Sequence, residues 1–177
     1  MVVKKYQKWF VCLLCVIVHT GYGQKAKKLQ WTSIAQLSAK QALEPRPVLV
    51  DVYTDWCGWC KVMDKKTYGN ASVAAYLNRK YYVVKFNAES REPVLWNGKT
   101  YRYSQRYGAH ELAVHLTKGQ LSYPTTVFLP TKNGDPHAIA GFLAVKDFEV
   151  LATYFGEGKY PKMPLEDYLR GYKPQWK

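Results

Sequence analysis

The sequence has no apolar run long enough to cross a bilayer, few cysteines, half as many acids as bases, and no internal repeat or low-complexity segment. Each shortage removes a class of protein. The longest apolar stretch, Trp9 to Val18, is ten residues, whereas a spanning helix needs about 20. Of four cysteines, Cys12 and Cys15 lie inside that stretch, and the pair left beyond it, Cys57 and Cys60, cannot make the disulfide framework of a small secreted scaffold. The 26 Lys and Arg against 13 Asp and Glu give a net charge of +13, which favours anionic partners. Yet no basic run exceeds two residues and no nucleic-acid motif is present, so no nucleic-acid partner is expected and the charge reads as a solvated face. Lack of a repeat excludes a solenoid or propeller.

What is present suits a folded enzyme. At 177 residues with 47% apolar and 15% aromatic content, the chain can bury one core. Lys4, Lys5 and Lys8, the Trp9 to Val18 run and the small residues at Gly21-Tyr22-Gly23 have the three-part layout of a secretory signal peptide cut after Gly23. The expected organisation is residues 1–23 as signal peptide and 24–177 as one domain, periplasmic or otherwise exported, with no membrane span after cleavage. Its core spans about 29–155, with an insertion at 88–120 and a tail at 156–177. Cleavage removes three lysines and two cysteines, leaving a net +10 and only Cys57 and Cys60. A bridge across two residues closes too short a loop to stabilise much, so the value of this pair is chemical.

Hydrophobic periodicity orders the elements. Thr32 or Ser33 caps a helix with Ile34, Leu37 and Leu43 on its apolar face, ended by Pro45 and Pro47. Val48 to Tyr53 is a strand buried on both faces and leads straight into the cysteines. A helix runs from Cys57 through Met63 and weakens at Gly69-Asn70, a second begins near Ser72, and Tyr81 to Phe86 forms a strand parallel to the first. Asn97-Gly98 between Pro93-Trp96 and Lys99-Arg102 marks a hairpin, followed by a short helix at Leu112-Leu116 stopping at Gly119. Thr125-Leu129 and His137-Ala140 are antiparallel strands around Asn133-Gly134, and a helix from about Lys146 to Phe155 closes the domain. The tail, with Tyr160, Tyr168, Tyr172 and Trp176, either packs on the domain or stays mobile.

Cysteines at i and i+3 on a first helical turn have sulfurs close enough to bond reversibly. The N-terminal one sits among free backbone N–H groups at the positive end of the dipole, which favours its thiolate. Cys57, partly exposed, is the nucleophile that forms a mixed disulfide. Cys60, a turn deeper, resolves it. The competing use of this spacing, zinc, needs two further ligands, and His110, His115 and His137 do not stand at ligand spacing. No metal or cofactor is expected.

Val48-Leu49-Val50-Asp51-Val52-Tyr53-Thr54-Asp55-Trp56-Cys57-Gly58-Trp59-Cys60-Lys61 resembles the active-site strand and turn of the thioredoxin family. Ser122-Tyr123-Pro124-Thr125-Thr126-Val127-Phe128-Leu129 resembles its cis-proline strand, with Asn133-Gly134 and Gly141 beyond. The nearest likeness is to exported bacterial thiol-disulfide oxidoreductases and to the C-terminal thioredoxin domain of the membrane transporter that feeds periplasmic disulfide reduction. The resemblance implies an α/β, thioredoxin-like fold: a central mixed β-sheet flanked by helices, here with an inserted hairpin and helix before the cis-proline strand.

By the same resemblance, Asp51 is a buried acid with a raised pKa that takes the Cys60 proton, the alternative being an Asp turned to solvent at a strand end. Lys85 tunes that acid, or lies exposed on its strand. Pro124 is cis and faces the sulfurs, with the Tyr123 backbone pairing to a substrate strand; the alternative is an ordinary trans proline. Trp56, Gly58 and Trp59 complete the substrate contacts, although Trp56 equally suits the core. His110 and His115 read as surface residues. The implied partners are protein thiols and disulfides as substrates and a membrane-linked thiol electron donor. Reduction is the expected direction, with oxidase or isomerase chemistry open, and the competing class is a redox-sensitive binding module.

Overall fold

The computed structural model describes residues 28–131 and 134–177; the signal-peptide expectation for 1–23 and the Asn133 half of the expected turn lie outside them. The first helix, α1 (Ile34–Leu43), is capped by the Ser33 hydroxyl, which accepts the Gln36 N–H. It buries Leu37 and Gln41, while Leu43 is 89% exposed rather than on the apolar face. Leu43 is the last helical residue, and the chain turns extended at Glu44 ahead of Pro45.

A four-stranded sheet lies at the centre in the order β2-β1-β7-β8. β1 (Val48–Tyr53) pairs parallel with β2 (Tyr82–Asn87) and antiparallel with β7 (Thr125–Leu129), which pairs antiparallel with β8 (His137–Ala140). An unbroken Val/Leu run belongs in such a strand, covered on both faces. β2 starts one residue later than the sequence predicts, because the Tyr81 N–H still bonds Leu77 O as the C-cap of α3 (Ala71–Lys80).

Alternation along β1 divides the core in two. Val48, Val50 and Val52 face Leu37 of α1, together with Trp96, Tyr101, Leu112 and Leu116. Those four come from the 88–120 segment: the hairpin β3 (Val94–Trp96) and β4 (Lys99–Tyr101), the short pair β5 (Tyr103–Ser104) and β6 (Ala109–His110), and α4 (Glu111–Leu116). The segment thus forms one wall of the core. Asn97 and Gly98 at the hairpin tip have φ of 49° and 79°, the paired left-handed geometry that makes Asn-Gly a tight hairpin turn.

Leu49 and Asp51 face the other layer, where Leu49 packs with Met63, Tyr68, Val73, Leu77, Phe148 and Phe155. Each large apolar side chain buried there contributes about 2–3 kcal/mol. This layer holds α2 (Gly58–Met63), which runs on into a π-helical turn, Asp64–Tyr68, then α3 and α5 (Val145–Gly156). Gly69 closes the π turn where an added Cβ would lie 2.5 Å from Lys65 O, so a side chain there would force the backbone apart.

The tail packs on the domain. After α6 (Leu165–Gly171), the Tyr172 hydroxyl and the backbone N–H groups of Gln175 and Trp176 all donate to the buried Glu149 carboxylate of α5. No helix among the described residues is long and apolar enough to cross a membrane.

Candidate active site

Cys57 is the N-cap of α2, in extended backbone conformation, and its Sγ accepts the Cys60 N–H at 3.0 Å. That turn brings the two Cα atoms to 5.3 Å and the sulfurs are joined in a disulfide. The same amide stands ready to stabilise a thiolate once the bond opens. Exposure does not separate the two cysteines as expected, at 4% for Cys57 and 3% for Cys60. Both cysteines are buried, and what sets Cys57 apart from Cys60 is its place at the cap of α2.

Trp56 and Trp59 stand outside, 67% and 63% exposed. The Trp56 ring meets Tyr123 edge-on at 5.9 Å and its indole N–H donates to Glu89 at 3.1 Å. Trp59 packs against Phe142 at 5.7 Å. Because Trp56 adjoins Cys57 and Tyr123 adjoins Pro124, the first contact holds the cysteine turn beside the Tyr123–Pro124 bond, which is cis. Pro124 O accepts the Gly141 N–H at 2.8 Å, tying this loop to the end of β8. Gly58 is exposed at the first helical position and an added Cβ there would meet nothing within 4 Å.

Beneath this surface Asp51 is 2% exposed. Its register partners are Lys85 on β2 and Thr126 on β7. Lys85 Nζ lies 3.6 Å from Asp51 Oδ2 and makes its closer ion pair with Asp64, while its cation also sits over the rings of Trp31 and Tyr53. Burial pushes the Asp51 pKa up to about 7, opposed by the Lys85 charge and assisted by Asp64. A carboxyl poised there can hold or release a proton near neutrality. Asp51 Oδ1 is buried without a hydrogen-bond partner.

Asp64, Tyr68, Thr126, Glu89 and Phe142 join the site without having been singled out in the sequence. Asp64 was within reach of sequence reasoning, since it follows Cys60 by four residues and so shares its helix face. The other four depend on strand register and loop packing. His110 is a correction: it is fully buried. Its Nδ1 accepts the Leu112 N–H and caps α4, Nε2 meets Glu92 O at 3.1 Å, and the ring stands edge-on to Phe86. An imidazole can satisfy both ring nitrogens internally, which makes this burial affordable. His115 is exposed and stacks on Tyr101.

Comparison with known proteins bears on this arrangement. Residues 22–155 match the family model Thioredox_DsbH, described as "Protein of unknown function, DUF255". Two curated relatives are thiol:disulfide interchange proteins DsbD. The one from Pectobacterium atrosepticum is 40% identical over 47 residues, covering 27% of this chain and 8% of that protein. The one from Colwellia psychrerythraea is 36% identical over 67 residues, 36% of this chain and 11% of that protein. The matched stretch therefore spans only about a tenth of those relatives. Among solved structures, a thioredoxin-fold protein from Helicobacter pylori superposes with a TM-score of 0.56 at 18% identity, covering 71% of this chain and 83% of that one. A structure described as DsbH oxidoreductase gives 0.54 at 16% identity, covering 75% and 88%. At such identities the structures establish the fold, which is thioredoxin-like.

Proposed function

The chain belongs to the Thioredox_DsbH family of thioredoxin-like proteins, and from that membership and its site we propose that it is a thiol-disulfide oxidoreductase reducing protein disulfides outside the cytoplasm. The observation that carries this reading is the Cys57–Cys60 disulfide at the start of α2, beside a cis X-Pro bond and above a buried acid. Export is supported by the signal-like Lys4 to Gly23 segment.

In the reduced protein the Cys57 thiolate attacks a substrate disulfide, forming an intermolecular S–S bond and releasing one substrate thiolate. Cys60 gives its proton to Asp51 and attacks Cys57 Sγ. The intramolecular disulfide forms, the second substrate sulfur leaves as thiolate, and two electrons have passed from the cysteine pair to the substrate. Tyr123 offers its backbone to an extended substrate segment, and Trp56, Gly58 and Trp59 form the surrounding apolar surface. Pro124, lacking an N–H, leaves the approach to the sulfurs open. Lys85 disfavours protonation of Asp51 and keeps it a usable base. A membrane-linked thiol donor would re-reduce the pair; similarity to segments of two thiol:disulfide interchange proteins supports that partner.

The test is the equilibrium potential of Cys57–Cys60 against glutathione, with turnover of insulin disulfides by dithiothreitol alongside. A reductase is expected toward the thioredoxin end of the scale, about −270 mV, with accelerated insulin reduction. A value near about −120 mV would assign an oxidase instead. No acceleration at any potential would leave a binding module whose cysteines only report redox state.

A further inference from the structure

Tyr68 carries a buried hydroxyl that no step above uses. It ends the π turn, 3% exposed, with its ring met edge-on by Trp31 at 5.3 Å and by Phe148 at 5.6 Å. Neither contact needs the oxygen, and a phenol in an apolar layer costs more than a phenyl ring unless that oxygen is used. It lies 3.4 Å from Thr126 Oγ1. Thr126 is the antiparallel partner of Asp51, and such partners project from the same face of a sheet. The hydroxyl therefore hangs over the strand pair at the level of the acid, whose Oδ1 is buried with no hydrogen bond formed yet stands near enough for the phenol and the carboxyl to act on each other.

Building on the reading of Asp51 as proton acceptor for Cys60, we propose that Tyr68 is the positioning residue of that acid, its O–H turning from Thr126 Oγ1 to the free Asp51 Oδ1 when the carboxyl ionises. A hydroxyl hydrogen rotates about its C–O bond without moving the ring, so the donor changes hands while the core stays packed. Facing Asp51 are Lys85 from β2, Asp64 and Tyr68 from the π turn, Tyr53 along its own strand and Thr126 from β7, with Cys60 on α2 as the source of the proton. Lys85 is shared with Asp64, whereas Tyr68 is a neutral donor that adds no charge. Burial, and then the nearby Asp51 charge, push the Tyr68 pKa well above its ordinary value. The phenol thus remains a donor throughout the cycle. It transfers no proton; it gives the new carboxylate a hydrogen bond at the moment Cys60 ionises.

Carboxyl ¹³C NMR titration of Asp51 in the oxidised protein tests this directly. Tyr68→Phe is expected to raise the midpoint by about half to one pH unit, because the charged form loses its donor. Thr126→Val should lower it, because the competing acceptor is gone. Phe keeps both ring contacts; should that variant still fail to fold, the direction of the Thr126→Val shift decides. An unmoved midpoint in Tyr68→Phe, or shifts of the same sign in both variants, would overturn the proposal. In stopped-flow assays Tyr68→Phe should slow resolution several-fold below about pH 7 while sparing first attack, and should have no further effect in an Asp51→Asn background. If Asp51→Asn alone leaves resolution unchanged, the proton-acceptor reading fails, and opposed NMR shifts would still establish the Tyr68–Asp51 bond.

Discussion

Lys85 Nζ stands 3.6 Å from Asp51 Oδ2 yet forms its closer ion pair with Asp64, so the buried acid shares this cation. Register makes Asp51 and Lys85 neighbours on parallel strands. The π turn then brings a second carboxylate to the lysine, and Asp51 is left incompletely neutralised.

Stability should depend on this acid in a definite direction. The folded-state pKa of Asp51 is raised to about 7 from an ordinary value of 3.8, so the folded chain binds the extra proton between those values. Stability is then fully present below about pH 4 and is lost as pH rises toward 7. Asp51→Asn removes the penalty. Denaturant melts across pH 4–8 should show the variant gaining on the parent by an amount on the order of 4 kcal/mol, levelling off above pH 7. A constant difference at all pH values would mean that Asp51 does not titrate in this range.

The cysteine roles predict unequal trapping. Cys60→Ser should accumulate mixed disulfides on Cys57, since attack proceeds and resolution cannot. Cys57→Ser should trap far less. The two residues are equally covered, so the asymmetry would come from the cap position of Cys57. Non-reducing gels of acid-quenched cells, with dithiothreitol-treated samples beside them, give the comparison; equal trapping would remove the cap from the mechanism.

Glu149 should make the tail part of the fold. Deleting residues 172–177 takes away the Tyr172 hydroxyl and the Gln175 and Trp176 N–H groups, the donors and part of the cover of a carboxylate that is 1% exposed in the full fold. A loss of about 3–5 kcal/mol is expected, read as a fall in Tm of roughly 2–4 °C per kcal/mol. Glu149→Gln with the tail intact should cost less, about 1–3 kcal/mol. A truncation that melts like the parent would show that the tail is not held this way.

His110 should weaken the protein on acidification. Burial lowers its pKa below the ordinary 6.5, so the neutral ring's contribution is fully present above pH 6.5 and is lost as pH falls from there through the lower folded-state pKa. A proton on Nδ1 would also oppose the Leu112 N–H. His110→Asn, which keeps a cap acceptor but gives up Glu92 O, is expected to cost about 1–2 kcal/mol at pH 7.5. The cost should shrink at pH 5, where the parent itself is weakened. An equal cost at both pH values would place the titration elsewhere.

Local and periodic signals were enough for a large part of this protein. The Val48 to Tyr53 run led to a doubly covered strand, Asn97-Gly98 to a hairpin, and the cysteine spacing to a helix-start redox pair, because each depends on residues adjacent in the chain. Leu43 and the start of β2 depart from the periodic pattern because they lie at element ends, where caps rather than periodicity decide. His110 is buried rather than at the surface because its Glu92 and Phe86 partners come from other segments.

Tertiary structure alone decided what surrounds the cysteines. Strand register put Lys85 and Thr126 on either side of Asp51, a π turn carried Asp64 and Tyr68 over it, and Glu149 found its donors more than twenty residues away. The chemistry of a cysteine pair can be read from four consecutive residues. The proton affinity of the acid beneath it depends on burial and on charges from separate elements, and these acquire values only when the chain has folded.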